Sequence, residues 1–335
     1  MRGAARPEGL SPSVEQARVS LISVAYNSAG ALRGFLASVP PGMGVIIVDN
    51  ASSDDSAAVA EAAGARVIRN GANLGFGAGC NIGMNAAETE FVLLANPDTR
   101  LDAAAMTRLV AAADAFPDAA ILAPMLCDES GARVRSWDVE QLHRRKLSRK
   151  RDAEPWPEGP LCAEFLSGAC MLLRASEGLR FNEDFFLFYE DDAICAAARA
   201  KGRALVLVPD AVMHHAGGGS SAPSEALSAF KARHMAWSRL HYMLLMRGTA
   251  AARREAWARL WHHAGKALGH GLTMRGAKFR ADLAGLGGTL AWLRGLGWLL
   301  GLFLYAVAAP RRRVARINLG LCFPGLTPAE LRVLT

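Results

Sequence analysis

The stretch "EFVLLANPD" (residues 90–98) decides the fold. A continuous apolar run, Phe91 to Leu94, ends abruptly in an Asn-Pro-Asp turn, the pattern of a buried strand running into a polar end. Working outward toward the N-terminus, three more units of this kind appear: "VSLISVAYN" (19–27), "GVIIVDNAS" (44–52) and "ARVIRN" (65–70). Helical patterns separate them, "AGALRGFLASV" (29–39) and "DDSAAVAEAAG" (54–64), the latter closed by Gly64, and a glycine-rich turn opens a third helix. This βαβα order predicts a mostly parallel, doubly wound sheet. Such sheets bind ligands beyond the carboxyl ends of their strands. The polar clusters Tyr26-Asn27, Asp49-Asn50, Asn73 and Asn96 to Asp98 all fall at those ends.

Toward the C-terminus the pattern changes. Residues 135–160 are basic, proline-bearing and weakly periodic, which predicts a mobile surface loop. "AEFLSGACMLLRAS" (163–176) reads as two strands or a hairpin, and "AICAAARAKG" (193–202) as a short helix stopped by Lys201-Gly202. A strand follows in "RALVLVPDAVMHHAGGGSS" (203–221), then a histidine pair and a glycine-serine loop. Beyond residue 225 the chain reads as helices rich in Arg, His and Trp, with no strand signal. The expected organisation is a disordered leader over 1–17, an α/β domain over 18–225 and a helical extension over 226–335. Within the extension, "GLGWLLGLFLYAVAA" (295–309) is uncharged and bounded by Arg294 and Arg311 to Arg313. It is shorter than the roughly 20 residues that span a bilayer. An interfacial anchor with arginines at headgroup level fits it, as does an apolar helix buried in this protein or a partner.

Composition narrows the classes. The chain has 335 residues, 51% of them hydrophobic, enough for a sizeable core. A formal charge of +7 and a pI near 9.3 suit anionic membranes, nucleic acid or phosphate-rich substrates. The basic run "HRRKLSRKR" (143–151) lacks interleaved aromatics, so a solvated or lipid-facing patch is expected and a nucleic-acid partner is not. The six cysteines form no C-x-x-C pair, which argues against zinc and redox dithiols and for reduced thiols. No apolar signal-peptide core opens the chain, so a cytoplasmic location is expected.

Four segments carry residues suited to chemistry. In "NLGFGAGCNIG" (73–83) the glycines form either a structural turn or a phosphate cradle, and neither the dinucleotide nor the P-loop spacing is met. Asn96 and Asp98 offer oxygen ligands to a hard divalent cation, or merely build a turn. The His214-His215 pair suits a metal or a phosphate, or is incidental. In "FFLFYEDDAIC" (185–195) a helix cap accounts for one acid of the triplet Glu190-Asp191-Asp192, not for three. A general base at a cleft mouth, fixed by the aromatic run Phe185 to Tyr189, accounts for more.

Taken in order, "SVAYNSAGALRGFLASV", "IIVDNASSDDS", "NLGFGAGCNIGM", "LLANPDTRLD", "FLSGACMLLR", "FNEDFFLFYEDDAICAAARAKG" and "VPDAVMHHAGGGSS" resemble the family-2 glycosyltransferases. The nearest look-alikes are bacterial rhamnosyltransferase-like members that build surface polysaccharides. The resemblance spans roughly residues 19–221 and implies the GT-A fold. It implies that Tyr26, Asn27, Asp49, Asn73, Gly75 and Asn96 line the nucleotide-sugar donor site. Asp98, in the N-P-D form of the family's D-x-D motif, and His215 would bind Mg²⁺ or Mn²⁺, with His214 as a substitute. Asp191, second residue of the family's E-D-x-D segment, would be the catalytic base, and Gly168 and Glu190 would border the acceptor. Here the final Asp of that segment is Ala193, and Asp192 would have to act from a position turned about 100° away on a helix. Residues 305–334 resemble the N-terminal segment of lipid A late acyltransferases, without the His-x4-Asp site, so no acyl transfer is expected.

The implied activity is an inverting transfer of a sugar, such as rhamnose, from a dTDP- or UDP-sugar to a lipid-linked or lipopolysaccharide acceptor. It would occur at the inner face of the cytoplasmic membrane, in envelope polysaccharide biosynthesis. The alternative is a catalytically silent nucleotide-sugar-binding or scaffold protein of envelope-glycan assembly.

Overall fold

A computed structural model describes residues 17–140, 154–217 and 224–307, with side chains described as far as residue 295. The leader, the basic run at 143–151, the glycine-serine loop beyond Gly217 and the acyltransferase-like tail beyond Val307 lie outside the described residues. The chain divides into two compact units, Met1–Leu227 and Ser228–Thr335.

In the first unit the alternation of apolar runs and amphipathic segments folds as expected. β1 (Val19–Ala25) leads through α1 (Ala29–Ala37) to β2 (Gly44–Asp49), then α2 (Ser56–Ala62), β3 (Arg66–Arg69), α3 (Phe76–Asn85) and β4 (Phe91–Ala95). These four strands are mutually parallel in the order β3-β2-β1-β4. All seven residues of β1 and all five of β4 are buried, because helices cover both faces. Period-two alternation splits the core. Leu21 and Leu93 pack on one face with Leu32 and Phe35 of α1, while Ile22 and Leu94 pack on the other with Cys80 of α3.

Past β4 come β5 (Thr99–Arg100), α4 (Ala103–Ala115), β6 (Ala119–Cys127), β7 (Arg133–Val134), β8 (Trp137–Asp138), β9 (Leu161–Cys162), β10 (Phe165–Leu166) and β11 (Cys170–Arg174). The unit closes with α5 (Glu190–Ala200) and β12 (Ala204–His215). The sheet is mixed: β11 inserts antiparallel between β4 and β6, and β12 returns parallel to β6 and antiparallel to β5. The expected doubly wound parallel order therefore holds only from β3 to β4. Strand β11 reverses because the chain re-enters the sheet at the carboxyl edge of β4, where Cys170 pairs with Ala95.

Two local expectations are corrected. The surface loop expected over 135–160 is partly structural, since β8 pairs with β10 in a small second sheet and buries Trp137 and Asp138. Strands β10 and β11 form no hairpin, for each belongs to a different sheet. A smaller adjustment concerns the histidine pair, which ends β12 instead of following it.

The second unit is helical. α6 (Glu225–Leu272) is broken at Gly248, where φ is 75° and ψ 176°, and α7 (Gly276–Val307) follows it. Leu240, Ala252, Ala256 and Trp292 form its small core. No described helix is long and apolar enough to cross a membrane.

Candidate active site

The carboxyl edge of β1, β2, β3 and β4 gathers one polar network. Asn50, nearly fully buried, is its centre. Its Nδ2 donates to Gly75 O (2.9 Å) and to Asn73 Oδ1 (3.3 Å), and its Oδ1 accepts from Asn70 Nδ2 (2.7 Å). The loops after β2 and β3 and the start of α3 are thereby joined through one side chain. Asp54 performs the same service for α1 and α2. Its carboxylate accepts from the backbone N–H groups of Ala29 and Ser56, and from the Ser56 hydroxyl. Burial opposes that charge, but the Ser56 hydroxyl and the two N–H groups hold Asp54 below the usual carboxylate range.

Within this frame the expected donor residues behave differently from one another. Tyr26 is largely exposed at the end of β1. Asn27, at φ 50°, directs its Oδ1 to the backbone and hydroxyl of Ser53 (2.8 and 3.1 Å), so that oxygen fixes a loop. Asp49 is buried; Oδ2 accepts from Ser52 N at 3.3 Å, while Oδ1 has no hydrogen-bond partner among the described residues. A buried carboxylate oxygen left over in this way is costly unless a ligand satisfies it. Asn73 turns its Oδ1 back onto Gly75 N (3.0 Å).

The glycine turn proves to be a steric requirement. Gly75 has φ +89°, and a Cβ there would lie 2.4 Å from Phe186 O. One residue on, Phe76 N donates to the same oxygen at 3.1 Å. Gly79 and Gly83, one and two turns further along α3, sit against Val24 and Ile22 of β1. Asn81 then clamps the next segment: Nδ2 donates to Phe181 O (3.0 Å) and Oδ1 accepts from Phe181 N (2.9 Å). Helix α3 is thus the platform that carries the aromatic run into α5.

That run ends in two residues with left-handed backbone, Phe188 and Tyr189, both at φ 68°. Each such conformation costs a bulky residue on the order of 1–2 kcal/mol. It turns the chain into α5, whose first turn holds all three acids. Glu190 is buried beside α3, and its charge, after burial itself, helps push the Cys80 thiol well above its ordinary range. Asp192 is fully buried. Asp191 is half-buried, and its Oδ2 accepts from Gly168 N at 3.3 Å.

Gly168 links this acid to the Asn-Pro-Asp turn. Its neighbour Ala169 accepts hydrogen bonds from Asn96 N (2.9 Å) and Thr99 Oγ1 (3.2 Å). Across the turn, Asp98 Oδ1 lies 3.3 Å from His215 Nε2, and Asn96 Nδ2 lies 3.5 Å from the same nitrogen. His214, on the opposite face of β12, turns its Nδ1 to Asp128 O (3.4 Å). The described residues hold no group of three or more His, Cys, Asp and Glu side chains able to bind a metal. A cation at Asp98 and His215 would therefore draw its remaining ligands from water and substrate oxygens, as Mg²⁺ and Mn²⁺ sites do.

The fold and this cluster define a glycosyltransferase of the GT-A fold. Residues 20–176 match the family described as Glycosyl transferase family 2, and they form a family-2 glycosyltransferase domain. The matched range ends before Glu190 to Asp192 and His215. An N-acetylglucosaminyl-diphospho-decaprenol L-rhamnosyltransferase of Mycobacterium tuberculosis is 28% identical over 283 residues, covering 71% of this chain and 92% of that protein. An uncharacterised glycosyltransferase of Mycobacterium bovis is 31% identical over 135 residues, 38% of this chain and 61% of that protein. Among solved structures, a mannosyltransferase from Pyrobaculum calidifontis in complex with GDP-Man and Mn²⁺ aligns with a TM-score of 0.48. It is 16% identical, covering 88% of this chain and 82% of that chain.

Proposed function

We propose that this enzyme is an inverting transferase that moves a sugar, with rhamnose from dTDP-rhamnose the first donor to test, onto a lipid-linked saccharide acceptor. The work would be done at the inner face of the cytoplasmic membrane. One observation carries the mechanism: two consecutive residues hydrogen-bond both functional groups, Gly168 N donating to the Asp191 carboxylate and Ala169 O accepting from the turn that holds Asp98 beside His215. In this reading the base and the diphosphate-binding corner are held by neighbouring residues just ahead of β11. The rhamnosyltransferase of Mycobacterium tuberculosis supports the sugar and the acceptor class, because its name specifies both.

In this reading Asp49 takes a donor N–H with its spare buried oxygen, and Tyr26 lies against the nucleoside. A divalent cation at Asp98 and His215 would offset charge on the departing diphosphate. Asp191 removes the proton from the acceptor hydroxyl as that oxygen attacks the anomeric carbon, and the sugar–diphosphate bond breaks on the far side. One displacement inverts the centre and needs no covalent enzyme intermediate.

The test is transfer from dTDP-rhamnose and UDP-sugars to a polyprenyl-diphosphate-linked N-acetylglucosamine, in Mg²⁺ or Mn²⁺. Asp191→Asn should lower transfer by roughly 10²–10⁴-fold while nucleotide binding, read by thermal shift, persists. Ala193 favours a second reading, a nucleotide-sugar-binding protein without turnover. Donor binding with no transfer or hydrolysis in either the native chain or the variant would select it.

A further inference from the structure

We propose that the C-terminal half of α6 is a docking surface for anionic phospholipid bilayers. Trp257, Trp261, Leu268 and Leu272 are all exposed, Trp261 at 73% and Leu272 at 76% of their full surface. At 100° per residue the four fall within an arc of roughly 60°, so they form one apolar stripe along the helix. Met274, 93% exposed, extends it at the turn into α7. Two exposed tryptophans in line with leucines suit the headgroup–acyl boundary, where an indole buries its ring and keeps its N–H wet.

Charge identifies the occupant. From residue 228 to 295 the sequence holds twelve Lys or Arg and only two acids, Glu255 and Asp282. Both acids are engaged within the unit: Glu255 pairs with Arg239 and Arg259 (2.8 and 2.9 Å), and Asp282 Oδ2 lies 2.6 Å from His270 Nδ1. Arg253, Arg254, Lys266, Arg275 and Lys278 are exposed in the same segment of the chain. A second copy of the chain would bring the same positive field against this one. An anionic lipid surface meets the cations and takes the apolar side chains together. The inference deepens the membrane placement proposed above, and its readout needs no sugar transfer, so each can fail without the other.

The experiment is flotation of the full chain with vesicles of phosphatidylglycerol and phosphatidylcholine in equal parts, and of phosphatidylcholine alone. The native chain should float with the mixed vesicles. W257S/W261S and L268E/L272E should each cut the bound fraction about tenfold, with unchanged melting and unchanged nucleotide binding. Lipids with brominated acyl chains should quench tryptophan emission of the native chain more than that of W257S/W261S. The proposal is overturned by a native chain that stays unbound, by equal binding to neutral vesicles, or by native-like binding of either double variant. A dimer formed without lipid and abolished by W257S/W261S would overturn it too, assigning the stripe to a second copy.

Discussion

His214 and His215 are chemically identical neighbours on β12, and backbone alternation alone separates them. His215 meets Asp98 and Asn96, while His214 meets a backbone carbonyl in the opposite direction. Replacing His215 with Ala should therefore lower metal-dependent turnover by about 10–100-fold and raise the cation concentration needed for half-activity. His214→Ala should leave both within about twofold. A steady-state titration with Mn²⁺ distinguishes the pair; equal losses would refute the assignment. In the sequence, the resemblance singled out His215, but the physical reason was hidden because the pair read as following the strand and not as ending it. Asp191, Asp98 and Gly168 were legible as members of quoted motifs. Asn50 was legible only as a polar strand end, since nothing in its local sequence tells that three loops meet on its amide. Asn27 and Gly75 were named for the donor; the structure adds that Asn27 Oδ1 accepts from Ser53 and that Gly75 lies close against Phe186.

At the level of elements, α3 shows how a glycine-rich stretch is used. Its glycines left a structural turn and a phosphate cradle both open; in the structure Gly75, Gly79 and Gly83 recur every fourth residue on the face that packs on β1 and the aromatic run. Substituting Gly75 by Ala imposes a left-handed backbone on a Cβ-bearing residue and drives that atom into Phe186 O. The expected cost is on the order of 2–3 kcal/mol, read from urea denaturation, with larger loss of activity than of nucleotide affinity. A variant as stable as the native chain would show that the turn relaxes. Strand order was legible as far as β4, where hydrophobic runs alternate with helices. The antiparallel entry of β11 was not, because pairing partners of a short strand are set by distant backbone edges and leave no local signal.

Across the whole molecule, charge is divided unevenly between the two units, and the first unit shows how its own charges are used. Arg18 donates to both Glu90 and Asp114, at 2.7–3.0 Å, tying the start of β1 to the start of β4 and the end of α4. Hydrogen bonds from Arg18 hold both carboxyls below the usual range, Asp114 and Glu90 alike. Their contribution is thus fully present above the unfolded carboxylate pKa near 4 and is lost as pH falls through the lowered folded values. For groups this exposed it amounts to about 1 kcal/mol or less. Arg18→Leu should be less stable than the native chain at about pH 7, with the gap closing toward about pH 2; a gap independent of pH would contradict it. The two-unit organisation was visible as the point where strand signals stop, but the exposed stripe on α6 was not, because exposure depends on which helix faces meet. The hydrogen-bond chain from Asn50 through Gly75 and Phe76 to Phe186 also sets a rule for the order of events. If donor binding stiffens the loops on Asn50, it stiffens the segment leading to Asp191, so the two substrates are thermodynamically linked. Reciprocity then requires that acceptor tighten donor by the same factor by which donor tightens acceptor. Calorimetry of each ligand with and without the other, on the Asp191→Asn protein, should return equal ratios above one, and ratios of one would cut that link.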